Sequence, residues 1–587
     1  MHTTDCVECD FRLALVPGRD HPEGAQHPVY GIAAAFPRFH SDRATIYQNV
    51  PDVKPLRHIP EVARTYGVWE ASYTLMNEEG LTFGESSCSS KLTAAGIDMA
   101  DPATGKYGEA YFSVAALMQL GLERCATCRC AVKTIGALAE EYGFYGESFM
   151  GGETITMADT TGEAWVFHVQ QDFSTNHSAI WVAQRVPDGH IAVIANEFTI
   201  QHVPEEETDD FMFSSNLRSE AIAAGFWDGN GDFNFQQVYG TKSVVGDNLY
   251  ATLREQWIYS QVAPSLDLQL PMSPTALKFS YPVDDKLSVE AAIALLRGHY
   301  DGTEWDLTKG IMAGPFGNPK RIEGGTGLKE VKGALPRPIS IPRTSHVLIG
   351  VASADNAVAL FGPDEPATTV FAPFFCKTLK EAADMPLNET SKLYAKFYQE
   401  GRRDQFGYRE SAWWAFDGVA NLLNWNYANM TGEFVNPAVE YWQAKMLAVA
   451  RSGDATAALD LQNRVSEAWW DLYDKLWTTY NDGYFYFYPG HNPAKPAATF
   501  GYPADWLRDI GFDKDFWKVQ TVKGQIAKAC NAEKHDDHEP VRCAKRELYL
   551  VLGGLVVGLA LGGSAGVVVG RRQSRRTGQS GLGDRLL

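Results

Sequence analysis

The 587-residue sequence is short of the features that would make its class obvious. It has no excess of basic residues: 52 Lys and Arg stand against 72 Asp and Glu, a formal charge of −20. Nonspecific nucleic-acid binding needs a basic face to neutralise phosphates, so that partner class is excluded. No internal repeat or low-complexity tract is present, and charged residues make up an ordinary 21%. The start, MHTTDC, lacks both the basic and the apolar parts of a secretory signal. What is present is apolar: 45% hydrophobic residues, with 15 Trp, 25 Tyr and 30 Phe, enough for a large packed core.

One long uncharged run stands near the other end. Residues 548–570 carry no charged side chain, and at about 1.5 Å per residue they can cross a hydrocarbon layer of about 30 Å. Arg571, Arg572, Arg575 and Arg576 follow the run, against Lys545 and Arg546 before it. The positive-inside rule then predicts a single-pass type I protein, with the preceding chain luminal or extracellular. A luminal domain needs an export signal, so an N-terminus extending beyond Met1 is expected. Gly554, Gly558, Gly562 and Gly566 fall on one face of the predicted span, where a second copy can approach closely to form a homodimer. Three N-x-[ST] sequons, at Asn176, Asn388 and Asn429, are glycosylation candidates.

The pattern before the span is α/β. Strands are predicted at 73–76 and 81–87 around an Asn77–Gly80 turn, at 164–170, 180–186 and 190–196, and at 346–352 and 357–361. Helices are predicted near 111–122 and 129–142. The tract 302–337, rich in Gly and Pro, reads as long loops. The clearest helix repeats Ala458, Leu461, Val465, Ala468, Leu472 and Leu476 on one face behind an Asp454 N-cap. The expected division is 1–380 as an αββα domain and 381–513 as a helix-rich continuation. A polar stalk at 514–547, the span at 548–570 and a basic tail at 571–587 complete it.

Local motifs for cofactors and metals fail on inspection. The run 228–232 (DGNGD) begins like a calcium loop but has Phe233 at its sixth position and Tyr239 at its twelfth. The run 324–329 (GGTGLK) has the wrong spacing for a phosphate loop. No cofactor is implied. Of the nine cysteines, Cys6 with Cys9 and Cys125, Cys128 and Cys130 form close groups that disulfides explain better than zinc, and Cys530 with Cys543 can close a small loop. A Cys–His peptidase built from Cys88 or Cys376 with His168 or His346 has no local signature.

Longer motifs are more specific. They are 2–12 (HTTDCVECDFR) with 16–20 (VPGRD), 80–88 (GLTFGESSC), 151–159 (GGETITMAD), 162–167 (GEAWVF), 300–303 (YDGT) through 314–317 (GPFG), 361–368 (FGPDEPAT), 411–416 (SAWWAF) and 501–504 (GYPA). Together they resemble the dipeptidase A family, secernin-like cysteine peptidases of the N-terminal nucleophile hydrolase superfamily, over residues 1–512. The resemblance implies a four-layered αββα sandwich, with a helical C-terminal region and one C-terminal transmembrane helix added by the segments above. It implies hydrolysis of dipeptides or short peptides by an N-terminal cysteine whose own α-amino group, with an ordinary pKa of about 7.7–8.0, serves as base. In the family the nucleophile stands about twenty residues before the position matched by Asp5, so a chain starting at Met1 is expected to be truncated before its cysteine and inactive. Asp5 resembles the acidic residue that holds the nucleophile's amine, and Asn196 the asparagine of the oxyanion hole. Arg218 loosely resembles an arginine of the distant acylases. Glu85 lies on a strand expected beside the nucleophile. The rival expectation is a non-enzymatic, membrane-anchored binding protein on the same fold.

Overall fold

The computed structural model describes residues 1–512 apart from 6–10, 32–42, 45–53, 93, 102–103, 147–149, 242–248, 269, 271–276, 323–333, 402–407 and 487–497. Met1–Gly501 is one compact unit. A second unit runs from Tyr502 to Leu587, and its described part contains one short helix, Ala504–Asp509. The predicted stalk, span and tail, with the glycine face and Cys530 and Cys543, lie outside the described residues, as do Cys6, Cys9 and the 324–329 run. Among the described residues no helix is long and apolar enough to cross a membrane.

Two antiparallel sheets form the centre of the first unit. The larger has eight strands in the order Phe211–Phe213, Ala179–Arg185, Ala164–Gln171, Gly151–Ala158, Thr82–Ser89, Thr74–Asn77, Val68–Glu70 and Ala14–Val16. The smaller runs His2–Asp5, Thr344–Val351, Val358–Pro363 and Ala372–Phe375. His2–Asp5 is therefore an edge strand among the described residues, paired with Thr344–Val351 alone.

The alternation of side chains along each strand sets the layers. One face of the large sheet, with Phe83, Ile155, Phe167 and Trp181, packs on the helices Val114–Arg124 and Cys128–Tyr142. Its other face meets the small sheet: Trp69 stands edge-on to Phe374 with centroids 5.2 Å apart. Two glycines permit the approach. A Cβ on Gly84 would stand 3.0 Å from the His2 Cβ, and one on Gly350 would stand 2.1 Å from the Thr82 Oγ1. The far face of the small sheet, with Val347, Ile349, Val358 and Leu360, packs on the helices Thr252–Val262 and Val289–Leu296 and on Leu447 and Ala450 of Asn436–Ser452.

Local chemistry explains the elements. In the Asn77–Gly80 turn, the Asn77 Oδ1 accepts from the N–H groups of Glu79 (3.1 Å) and Leu81 (3.0 Å), and Gly80 has φ +83°. Asp454 caps the helix Ala455–Thr479 by accepting from the Ala457 N–H at 3.0 Å. Ala458, Leu461, Val465, Leu472 and Leu476 of that helix are buried as their spacing predicts.

One predicted strand is corrected. The run 190–196 keeps only two strand residues, His190–Ile191, and these pair with Tyr281–Pro282 instead of Ala179–Arg185. Beyond Ile191 the N–H groups are taken by side chains: Val193 by the Tyr259 hydroxyl at 2.9 Å and Ala195 by Glu255 at 2.9 Å. Apolar alternation alone does not reveal that competition.

Candidate active site

A cavity of about 440 Å³ opens between the edge strand His2–Asp5, the strand Thr82–Ser89 and the irregular segment 192–196. Its polar wall holds Asp5, Glu85, Ser86, Ser87, Asn196, Tyr250, Arg254, Arg337 and Arg343, and its apolar wall includes Ile191, Ile258, Leu296 and Ile339. Three of the four residues proposed from sequence, Asp5, Glu85 and Asn196, lie together here.

Asp5 ends the edge strand and accepts from Arg343, at 2.6 Å from Nε and 3.0 Å from Nη2. Arg337 makes an ion pair with the same carboxylate. The Arg337 side chain is 3% exposed, and burial, with a smaller contribution from the charge of Arg343, lowers its pKa to about 9. Its Nη1 donates to the Asn196 Oδ1 at 3.2 Å and to the Tyr250 hydroxyl, and its guanidinium lies 4.6 Å from the Tyr250 ring centroid.

Asn196 is in the left-handed region, with φ +69°, a conformation uncommon for residues other than glycine. Every polar group it carries has a partner. Its N–H donates to the Ser86 Oγ at 3.1 Å, its carbonyl accepts from the Ser89 N–H at 3.2 Å, and its Nδ2 donates to the Ser87 carbonyl at 2.7 Å. Its Oδ1 also accepts from the Arg254 Nη2 at 2.7 Å. Glu85 sits below this group, 3.7 Å from the His2 Nε2 and 3.4 Å from the Ser87 Oγ, which donates to it.

Arg218 stands elsewhere. It donates to the carbonyls of Val203 (3.0 Å) and Pro204 (2.6 Å), and packs over the rings of Phe213 and Phe233. These contacts place it beside a separate surface hollow that also includes Asp232. The arginines at the cavity are Arg254, Arg337 and Arg343, which sequence reasoning missed. The one available signal is that Arg337 and Arg343 bracket a short apolar run just before the strand Thr344–Val351.

Among the described residues the cavity wall contains no cysteine. Cys125 and Cys130 form a disulfide, with Cα atoms 5.5 Å apart. Cys88, Cys128 and Cys376 are free and buried. Cys88 does connect to a histidine: its Sγ is 3.0 Å from the Thr154 Oγ1, which is 2.6 Å from the His168 Nδ1. However, the His168 Nε2 accepts from the Thr199 N–H at 2.9 Å, which makes the ring neutral with its proton on Nδ1. Burial holds His168 at about 3 and pushes the Cys88 thiol well up. Such a pair cannot form a thiolate–imidazolium nucleophile at neutral pH. Cys376 is likewise raised to about 12 by burial, and burial holds His346 well below the usual histidine range. Among the described residues no group of three or more His, Cys, Asp or Glu is placed to hold a metal ion. The sequon residues Asn176, Asn388 and Asn429 are all exposed.

Residues 30–439 match the sequence pattern of peptidase family C69. The chain is 26% identical over 373 residues to a probable dipeptidase of Latilactobacillus sakei, covering 60% of this chain and 68% of that protein. It is also 26% identical over 329 residues to a probable dipeptidase of Salmonella dublin, covering 54% and 68%. A probable dipeptidase A of Streptococcus pyogenes is 26% identical over 356 residues, covering 59% and 64%. The matched region contains Glu85, Asn196, Arg254, Arg337 and Arg343 of the cavity.

Proposed function

Because the chain belongs to peptidase family C69, we propose that its cavity is the hydrolytic site of a cysteine-type dipeptidase. The observation that carries this reading is the convergence of Asp5, Arg337 and Asn196 on one cavity, linked through the Arg337 guanidinium. A dipeptide presents an ammonium, a carboxylate and one amide between them. The cavity offers carboxylates (Asp5, Glu85), guanidiniums (Arg254, Arg337, Arg343) and a side-chain amide donor at Asn196. Its volume of about 440 Å³ lies in the range of small-molecule sites.

In this reading a cysteine thiolate attacks the substrate carbonyl and its α-amino group carries the proton to the departing amine. Asn196 donates to the oxyanion, and water then releases the acyl group. Asp5, already neutralised by two arginines, holds and orients the α-ammonium of the nucleophile. The thiol itself is absent from the described cavity wall, and the proposal assigns it to an N-terminal cysteine encoded upstream of Met1. The helix, sheet, sheet, helix succession supports an N-terminal nucleophile hydrolase sandwich. The run 548–570 is proposed to anchor the protein, with the cavity on the luminal or outer side.

The experiment compares two proteins: the chain starting at Met1, and the chain extended by the upstream coding sequence and processed to a free cysteine. The extended protein is expected to hydrolyse dipeptides and the Met1 chain to be silent. A folded extended protein that binds dipeptides but does not cleave them would replace this reading with the binding-platform alternative. Cleavage by the Met1 chain would refute the assignment of the nucleophile.

A further inference from the structure

The helix Thr252–Val262 grips the segment that carries Asn196 at four successive points. The Tyr259 hydroxyl accepts from the Val193 N–H at 2.9 Å, and Glu255 accepts from the Ala195 N–H at 2.9 Å. Arg254 donates to the Ala195 carbonyl at 3.2 Å and to the Asn196 Oδ1 at 2.7 Å. The Thr252 hydroxyl lies 3.3 Å from a Glu197 carboxylate oxygen. One helix thus holds residues 193, 195, 196 and 197, and the strand Thr82–Ser89 meets the stretch only at Asn196.

We propose that Arg254 is a positioning residue that fixes which end of the Asn196 side-chain amide faces a developing oxyanion. The two ends of an asparagine amide have nearly the same shape and differ only in hydrogen bonding. A guanidinium can only donate, so the end that meets both Arg254 and Arg337 must be the oxygen. The opposite end is then the NH₂. One of its hydrogens goes to the Ser87 carbonyl at 2.7 Å, and the second meets only the Met150 sulfur at 4.0 Å, a weak acceptor that a substrate oxyanion would displace. Arg254 is itself oriented from two sides, by the Tyr250 carbonyl 2.8 Å from its Nε and by the Tyr250 ring, whose centroid is 5.2 Å from the guanidinium carbon. Without Arg254 a single guanidinium would hold the amide, and a rotated amide would present oxygen to oxyanion.

This inference rests on the dipeptidase reading for its kinetic test and on geometry alone for its structural one. In the extended, cleaving protein, Arg254→Met is expected to lower kcat by about 10²-fold, the scale of an oxyanion donor, with KM changed less than about threefold. Arg254→Lys, which restores one cationic donor, should recover part of the loss. Unchanged kcat in Arg254→Met, or a change confined to KM, would overturn the proposal. If the extended protein cleaves nothing, the dipeptidase reading fails separately, and crystal structures still decide the role of Arg254. A rotated Asn196 amide in Arg254→Met supports it, and an amide bonded as before overturns it. Should Arg254→Met not fold, the same comparison with Arg254→Lys and Arg254→Gln applies.

Discussion

Asp5 and Arg337 form an ion pair in which the arginine is buried and the carboxylate is about a quarter exposed, 3% against 26%. Removing the carboxylate leaves a buried guanidinium short of its counter-charge. Breaking a buried pair from one side costs about 3–5 kcal/mol, and the solvent exposure of Asp5 screens this case to the low end or below. Asp5→Ala is therefore expected to lose about 2–3 kcal/mol in urea unfolding. The double variant Asp5→Ala/Arg337→Met should lose less than the two single losses added together. Strict additivity would show that the pair is not coupled.

Asn196 combines a strained backbone with a side-chain donor, and two substitutions separate them. Glycine tolerates the left-handed φ of +69° and removes the amide, whereas alanine removes the amide and keeps the strain. In the extended protein both are expected to lower kcat by about 10²–10³-fold. Asn196→Gly should unfold at a temperature at or above that of Asn196→Ala. A Gly variant with full kcat would exclude the oxyanion role.

Behind Asn196, the carboxyl groups of Glu197 and Glu255 are buried and both are shifted upward, Glu197 to about 7. Burial is the main cause in each, and the charge of Glu197 adds to the shift of Glu255. A raised carboxyl pKa means that the folded protein holds the proton more tightly than the unfolded one, whose value lies near 4.3. The stabilisation from the protonated form is complete below that value and is lost as pH rises to about 7. Buried neutral His168, held at about 3, acts oppositely, its contribution growing as pH rises from about 3 to 6.5. The readout is therefore a difference. Glu197→Gln, always uncharged, should gain stability relative to the parent as pH rises from about 4.3 to about 7. A flat difference across that window would assign Glu197 an ordinary pKa.

Cys88 sits two hydrogen bonds from His168 yet is fully buried with its thiol pKa pushed up. Cys88→Ala is expected to leave dipeptide hydrolysis by the extended protein within about twofold of the parent. Native Cys88 should resist iodoacetamide until the protein unfolds. Loss of all activity in a folded Cys88→Ala protein would make this thiol the nucleophile after all.

Much of the scaffold is legible in the sequence because its signals are local. Asn77 and Gly80 specify a turn, Asp454 a helix start, and the apolar spacing from Ala458 to Leu476 a buried face. At the cavity, long motifs carry Asp5 and Glu85, and Asn196 is reached only from its place at the end of the predicted 190–196 strand. Arg218 misleads because a charged residue in a polar run looks the same whether it faces a cavity or caps the Val203 and Pro204 carbonyls. Arg254, and all but the position of Arg337, escape sequence reading for the converse reason. Their roles depend on contacts with Asn196 across 58 and 141 residues of chain, which no spacing rule reports. The shortened strand after Ile191 has the same origin, since its backbone partners are side chains on a later helix.

The edge strand that supplies Asp5 finds its partners 338 residues further along the chain, at Arg343. A cavity wall closed by so distant a contact is expected to form slowly, because the closure entropy of the long loop must be met before the contact returns any energy. In refolding, the Cys128–Tyr142 helix and the Gly151–Gln171 hairpin have no such constraint. The cavity is thus expected to close late in refolding, after the hairpin and helix, which pulsed hydrogen exchange at the His2–Asp5 and Gly151–Gln171 amides would check.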